Sequence, residues 1–257
     1  PRHRATTPMS SRGVVVDAGS SATTIGGMTA GERNVIAADT AVELHAPTRV
    51  VGNYIGVGPE GEPLQNSNFV AVQPQVGIDG RDTRDLVIGA TAAPGEAPGN
   101  LIGPAETAGI RLRNVEVAVI AGTLVGRRDA DAVVDSSDRG YGICIASSER
   151  VNIGTPSSGN LVSGNDGNGI EVTRSALVTI EGNRIGTDAA GTAAVGNDNG
   201  IVIRGGRELR VSRNVLSGNR ENGISIGLAE ALEFDKCAQA SLGDADEMPG
   251  PVSIAGN

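Results

Sequence analysis

The chain has 257 residues, a net charge of −9 and no lysine or arginine run, so it offers no electrostatic track for nucleic acid. No stretch reaches the apolar length of a membrane span. With 38 Gly, two Phe, two Tyr and no Trp, the core must be built from small aliphatic side chains, and the usual stacking platforms for sugar rings are scarce.

Residues 1–12 read as an irregular N-terminal tail. From Gly13 onward a short phrase recurs, a small or apolar residue followed by an apolar-x-apolar triplet. It reads Gly13-Val14-Val15-Val16, Ala41-Val42-Glu43-Leu44, Phe69-Val70-Ala71-Val72, Gly109-Ile110-Arg111-Leu112, Gly142-Ile143-Cys144-Ile145, Gly169-Ile170-Glu171-Val172, Gly200-Ile201-Val202-Ile203 and Gly223-Ile224-Ser225-Ile226. The outer triplet positions are aliphatic and the middle one varies, which is the period-two pattern of a strand with one buried face. Strands this short bury that face only by stacking copy upon copy, so residues 13–257 read as one solenoid domain.

A second column follows the first: Asn34, Asn53, Asn100, Asn160, Asn183, Asn214 and Asn257, with Thr123 in the place of the fourth asparagine. Coils stacked about 4.8 Å apart set these amides one above another, where they can hydrogen-bond along the stack. Asparagine also tolerates the left-handed backbone of a tight corner. A structural role therefore outweighs a catalytic one.

Segments such as Asn160-Leu161-Val162-Ser163-Gly164-Asn165, Val178 to Asp188 and Asn214-Val215-Leu216-Ser217-Gly218-Asn219 resemble the right-handed parallel β-helix repeats of pectin-lyase-like proteins. The likeness runs from about Gly13 to Asn257. It implies an all-β fold, a single-stranded right-handed parallel β-helix of about eight coils. The superfamily spans lyases, hydrolases, adhesins and bacterial surface proteins, so the resemblance implies a secreted or cell-surface location and leaves the activity open.

From each corner residue to the next triplet the spacing is 8, 17, 10, 20, 10, 18 and 10 residues, so long and short turns alternate and the true repeat is two coils. The long turns, Val57 to Asn68, Arg127 to Tyr141 and Thr187 to Asn199, should emerge from one edge, where solenoids place recognition. They carry Glu60, Glu62, Asp129, Asp131, Asp135, Asp138, Asp188 and Asp198. Clustered carboxylates are what replaces the water shell of a hard cation, so Asp129, Asp131 and Asp135 form the candidate calcium site. The competing reading is solvated turn chemistry, because the spacing matches no calcium-loop pattern.

Leu228, Ala231 and Leu232 share one helical stripe, which predicts a short amphipathic helix near 228–240 on the solenoid flank. Cys144 and Cys237 lie about three coil steps, or ~14 Å, apart, against a limit of about 7 Å between bridged Cα atoms. Two free thiols are expected unless the segment around Cys237 folds back. The last residues, Val252 to Asn257, match Val178 to Asn183 and stop partway round a coil, as expected of a fragment of a longer chain.

Outward strand positions offer Glu43, Arg111 and Glu171, each two coils from the next, too far for direct pairing. His3 and His45 are the only histidines, and His45 stands alone after a strand in a satisfied or solvent-facing role. No nucleophile elbow, phosphate loop or zinc pattern is present. These features lean away from an enzyme. They favour an extracellular scaffold, a stalk, adhesin or array segment that displays acidic turns to a polysaccharide or protein partner and is capable of end-to-end or side-by-side self-association. The alternative is a lyase or hydrolase acting on an acidic polysaccharide.

Overall fold

The computed structural model describes residues 12–62, 64, 73–94, 98–127, 140–227, 237 and 250–257. Three parallel sheets run the length of the stack, two of eight strands and one of seven. Each of the first seven coils contributes one strand to each sheet, and the last contributes one to each of the first two. The first coil consists of Arg12–Val16, Thr23–Gly26 and Val35–Ile36, and the next continues with Thr40–Leu44, Thr48–Val51 and Tyr54–Ile55. The first strand thus begins at Arg12, one residue inside the expected tail.

The alternating pattern places one residue type per column on the inside. In sheet 1 Val14, Val42, Ile78, Ile110, Ile143, Ile170, Ile201 and Ile224 are in register. Sheet 2 supplies Ile25, Val50, Ile88, Ile120, Ile153, Ile180, Val211 and Ile254. Sheet 3 supplies Ile36, Ile55, Ile102, Val125, Val162, Ile185 and Leu216. Apart from Val14, Leu216, Ile224 and Ile254, all of these are buried in one continuous core. Each fully buried aliphatic side chain contributes about 1.5–3 kcal/mol, which offsets the ordering of very short strands.

The asparagine column forms as the spacing predicts. Asn34 Nδ2 donates to Asn53 Oδ1 at 3.0 Å, Asn160 to Asn183 at 2.9 Å, Asn183 to Asn214 at 2.9 Å and Asn214 to Asn257 at 3.1 Å. At each of these steps the backbone N–H also donates to the next Oδ1, so one side chain satisfies two donors of its neighbour. Beside this corner Gly154 has φ +79°, and a Cβ there would stand 2.1 Å from the Glu181 carbonyl oxygen. Only glycine permits that approach.

Connections from sheet 3 to sheet 1 run 37–39, 56–75, 103–107, 127–140, 164–169, 186–200 and 217–223. Long and short alternate strictly, and the long ones all leave the same corner. The corner between sheets 2 and 3 is complementary over the first six coils, with 27–34, 90–100 and 154–160 falling on the first, third and fifth; in the seventh coil both connections, 213–214 and 217–223, are short. The two-coil repeat is therefore a property of both corners through the sixth coil.

Two expectations are corrected. The third strand of sheet 1 is Val76–Thr83, with Ile78-Asp79-Gly80 in the triplet's place; Phe69 to Val72 lie outside the described residues. Gly80 hides the pattern because it lacks the second aliphatic side chain, and its space is filled by Leu86 and Leu112, which would contact a Cβ there at 2.7 and 2.8 Å. The two cysteines are not free. Cys144 and Cys237 are joined in a disulfide with Cα atoms 5.3 Å apart. Cys237, between the last strands of sheets 1 and 2, therefore lies against the level of Cys144, three levels back from Ile224–Gly227. The helix expected near 228–240 lies, apart from Cys237, outside the described residues.

Candidate functional site

The middle triplet position faces away from the core, and the register aligns it as Val15, Glu43, Asp79, Arg111, Cys144, Glu171, Val202 and Ser225. Asp79 is the member that the sequence reading missed. It fills the level between Glu43 and Arg111, so groups expected to be two coils apart are joined by a carboxylate one coil from each.

Asp79 and Arg111 meet in a two-pronged pair, Nε to Oδ1 at 3.0 Å and Nη2 to Oδ2 at 2.8 Å. Their side chains are 1% and 4% exposed, deep enough that the pair is hardly screened by water. Arg113 Nη2 adds a contact to Oδ2 at 3.2 Å, and Arg81 Nη2 lies 3.6 Å from the same oxygen. Arg81 Nη2 also donates to Glu43 Oε1. Glu43 is shared further, with His45 Nε2 at 2.9 Å and Arg12 Nε at 3.2 Å. His45 is thus paired, as its satisfied role requires.

Burial pushes both carboxyls up, but their partners outweigh it. Asp79 is held below the usual carboxylate range by hydrogen bonds from Arg111 and by the charges of Arg111, Arg113 and Arg81. Glu43 is held down by His45, Arg81 and Arg12. Burial in turn lowers the Arg113 guanidinium, opposed by Asp79 and reinforced by Arg111 and Arg81. A general acid working near neutral pH needs a carboxyl shifted in the opposite direction, and these two keep their oxygens occupied by guanidinium groups.

Beyond the disulfide, Glu171 is buried and accepts from Asn168 Nδ2 at 2.6 Å and Arg204 Nε at 3.2 Å. A third charged group lies at the corner of the long connections. Asp166 Oδ2 faces Arg127 Nη2 at 3.4 Å and Asp166 Oδ1 faces Arg220 Nη2 at 3.6 Å, while Arg220 Nη1 reaches Asp198 at 3.0 Å. Burial, with a smaller push from Asp198, raises the Asp166 carboxyl despite the two arginines.

Of the acidic turn residues, Asp188 accepts from the Thr192 N–H at 2.7 Å and the Ala193 N–H at 3.1 Å, and these bonds lower its carboxyl. Glu62 accepts from the Glu60 N–H at 2.9 Å. Both carboxylates shape their own turns. Asp129, Asp131 and Asp135, the candidate calcium ligands, lie outside the described residues, as does Asp138. Among the described residues no three His, Cys, Asp or Glu side chains converge as metal donors.

The family described as right-handed beta helix region matches residues 100–238, more than half of the chain. The chain belongs to the right-handed β-helix family. No curated protein matches this β-helix significantly. Its membership accounts for the three parallel sheets and the repeating columns, and it assigns no chemistry to the outward strip.

Further asparagine ladders of this β-helix escaped the sequence reading. Asn165 Nδ2 donates to Asn197 Oδ1 at 2.9 Å and Asn197 to Asn219 at 3.0 Å, at the corner of sheets 3 and 1. Asn222 donates to Asn199 at 2.8 Å and Asn199 to Asn168 at 2.9 Å just before the strands of sheet 1. The recurring Gly-Asn and Asn-Gly pairs, Gly164-Asn165 with Asn168-Gly169 and Gly196-Asn197 with Asn199-Gly200, were the available signal.

Proposed function

We propose that this β-helix is a non-catalytic scaffold acting outside the cytoplasm, which displays the connections 56–75, 127–140 and 186–200 to a polysaccharide or protein partner. The observation that carries this reading is that all three leave the same corner on alternate coils, spaced by about 10 Å on a rigid stack. The ionised, arginine-bound state of Glu43 and Asp79 supports it, because neither carboxyl is poised to donate a proton. The disulfide between Cys144 and Cys237 supports an oxidising compartment.

A second reading, a lyase or hydrolase of an acidic polysaccharide, is favoured by one feature, the raised Asp166 carboxyl beside Asp198, Arg127 and Arg220. Incubation with uronic-acid polymers, followed by ultraviolet absorbance for unsaturated ends and by a reducing-end assay, separates the two. The scaffold predicts no product above a heat-denatured control. Turnover that disappears in Asp166→Asn would overturn it in favour of the enzyme.

A further inference from the structure

We propose that the outward strip around Arg81, Arg111 and Arg113 is a binding site for an oxyanion of the carboxylate, sulfate or phosphate class. The chain carries a net charge of −9, yet among the described residues Arg12, Arg81 and Arg111 share the carboxylates of Glu43 and Asp79, and Arg113 also contacts Asp79. Three of these arginines stand on two adjacent levels, Arg81 on the third and Arg111 and Arg113 on the fourth, where they focus an attractive field for anions on an otherwise acidic molecule.

Geometry points to a ligand with more than one oxygen. Arg81 and Arg113 are register partners on adjacent strands, so their guanidinium groups rise from levels about 4.8 Å apart. Asp79 serves both, Arg81 at 3.6 Å and Arg113 at 3.2 Å, and it is already engaged on both oxygens by Arg111. Its acceptor capacity is spread over three guanidinium groups. Two buried donors are left over: Arg81 Nε and Arg111 Nη1 have no hydrogen-bond partner. Arg111 as a residue is 3% exposed, so its unsatisfied N–H lacks the water that would ordinarily compensate it. A planar carboxylate or a tetrahedral oxyanion supplies more than one acceptor for donors on two adjacent levels, which a single-atom halide does not. Access is from the side where the Arg81 side chain is 37% and the Arg113 side chain 16% exposed.

The inference deepens the non-catalytic reading of the strip: its arginines hold an anionic group while its carboxylates stay ionised and transfer no proton. The test titrates the whole chain with sodium sulfate at constant ionic strength set by sodium chloride, read by thermal midpoint and by calorimetry. Sulfate is expected to raise the midpoint saturably, with affinity falling at least about tenfold in Arg81→Gln and Arg113→Gln and unchanged in the distant Arg184→Gln. Arg81→Lys and Arg113→Lys, which keep the charge and lose the fork, are expected to fall between, and they serve if a glutamine variant fails to fold. A sulfate response equal to that of chloride, or equal in Arg184→Gln and Arg113→Gln, overturns the site. An oligouronate arm identifies the source: tighter binding than by its monomer marks a polymer-borne carboxylate, and equal binding marks a free small anion. Polymer cleavage that persists in Arg113→Gln would overturn the scaffold reading and leave the anion site standing, whereas a missing sulfate response overturns the anion site alone.

Discussion

The inner corner and the outer strip of this β-helix are built from the same register but obey different rules. At the corner of sheets 2 and 3 the same amide stands at almost every level, and each asparagine gives its neighbour what its neighbour gives the next. On the outer face of sheet 1 the residues in register are valine, glutamate, aspartate, arginine, cysteine, glutamate, valine and serine, and every contact is different. Repetition makes the corner a stabilising element whose loss at one level is local. Non-repetition makes the strip specific, because its pairs link levels that nothing else could substitute.

The largest test of that contrast is the covalent link on the strip. A chain-entropy account gives a cross-link closing a loop of this size, with a sequence separation of 93, a stabilisation of about 4–5 kcal/mol. Replacing both Cys144 and Cys237 with serine should lower the chemical-unfolding midpoint accordingly. An unchanged midpoint would show that the link staples nothing beyond its own levels.

Next comes Asp79→Ala, which strands the buried Arg111 charge and should cost about 3–5 kcal/mol. The double variant Asp79→Leu/Arg111→Met should recover most of it, and a double variant as unstable as the single one would mean that packing, not charge, is what Asp79 provides. Because the Asp79 carboxyl is lowered on folding, its contribution is complete above the ordinary carboxylate range of about pH 4 and is lost as pH falls through the folded value. The acid limb of a stability profile should therefore flatten in the double variant. Asp166, raised on folding, works with opposite sign and loses stability as pH rises through its window.

At the corner the effect is smaller. Asn183→Ala removes the acceptor of the Asn160 N–H and Nδ2 and the donor to the Ile153 carbonyl, for about 1–3 kcal/mol. Urea unfolding measures it, and a loss as large as that of Asp79→Ala would erase the distinction between repeating and non-repeating regions.

This distinction also explains what could be read from the sequence. The core columns and the asparagine ladder were legible because identical residues recur at a spacing set by the coil. The alternation of long and short corners was legible for the same reason, from Asn53 to Val70 as against Asn100 to Ile110. Asp79 was not, since Gly80 breaks the aliphatic pattern that marks a triplet, and Leu86 and Leu112 repair the core from elsewhere. Phe69 to Val72 offered a better local match and drew the triplet eight residues too early. The disulfide was illegible because it depends on the path of the connection 228–251, which no periodicity governs. Sequence repeats report contacts between like levels; the strip and the disulfide consist of contacts between unlike ones.

The smallest prediction repairs the one break in the ladder. Thr123 donates its hydroxyl to the Ala121 carbonyl at 3.2 Å and its N–H to Asn160 Oδ1 at 3.0 Å, but it has no amide to pass along the stack. The room for one is present. A Cβ on Gly89 would lie 2.4 Å from Thr123 Oγ1, matching the 2.5 and 2.4 Å from Gly26 and Gly154 to the Oδ1 atoms of Asn53 and Asn183. Thr123→Asn should therefore place its Oδ1 toward Asn100 and its Nδ2 toward Asn160, joining the two halves of the column. A net gain of about 0.5–1.5 kcal/mol corresponds to a rise of about 1–6 °C in Tm for a chain of this size. A lowered Tm would mean that the fourth level is shaped for threonine, and that even the repeating corner holds a position with its own geometry.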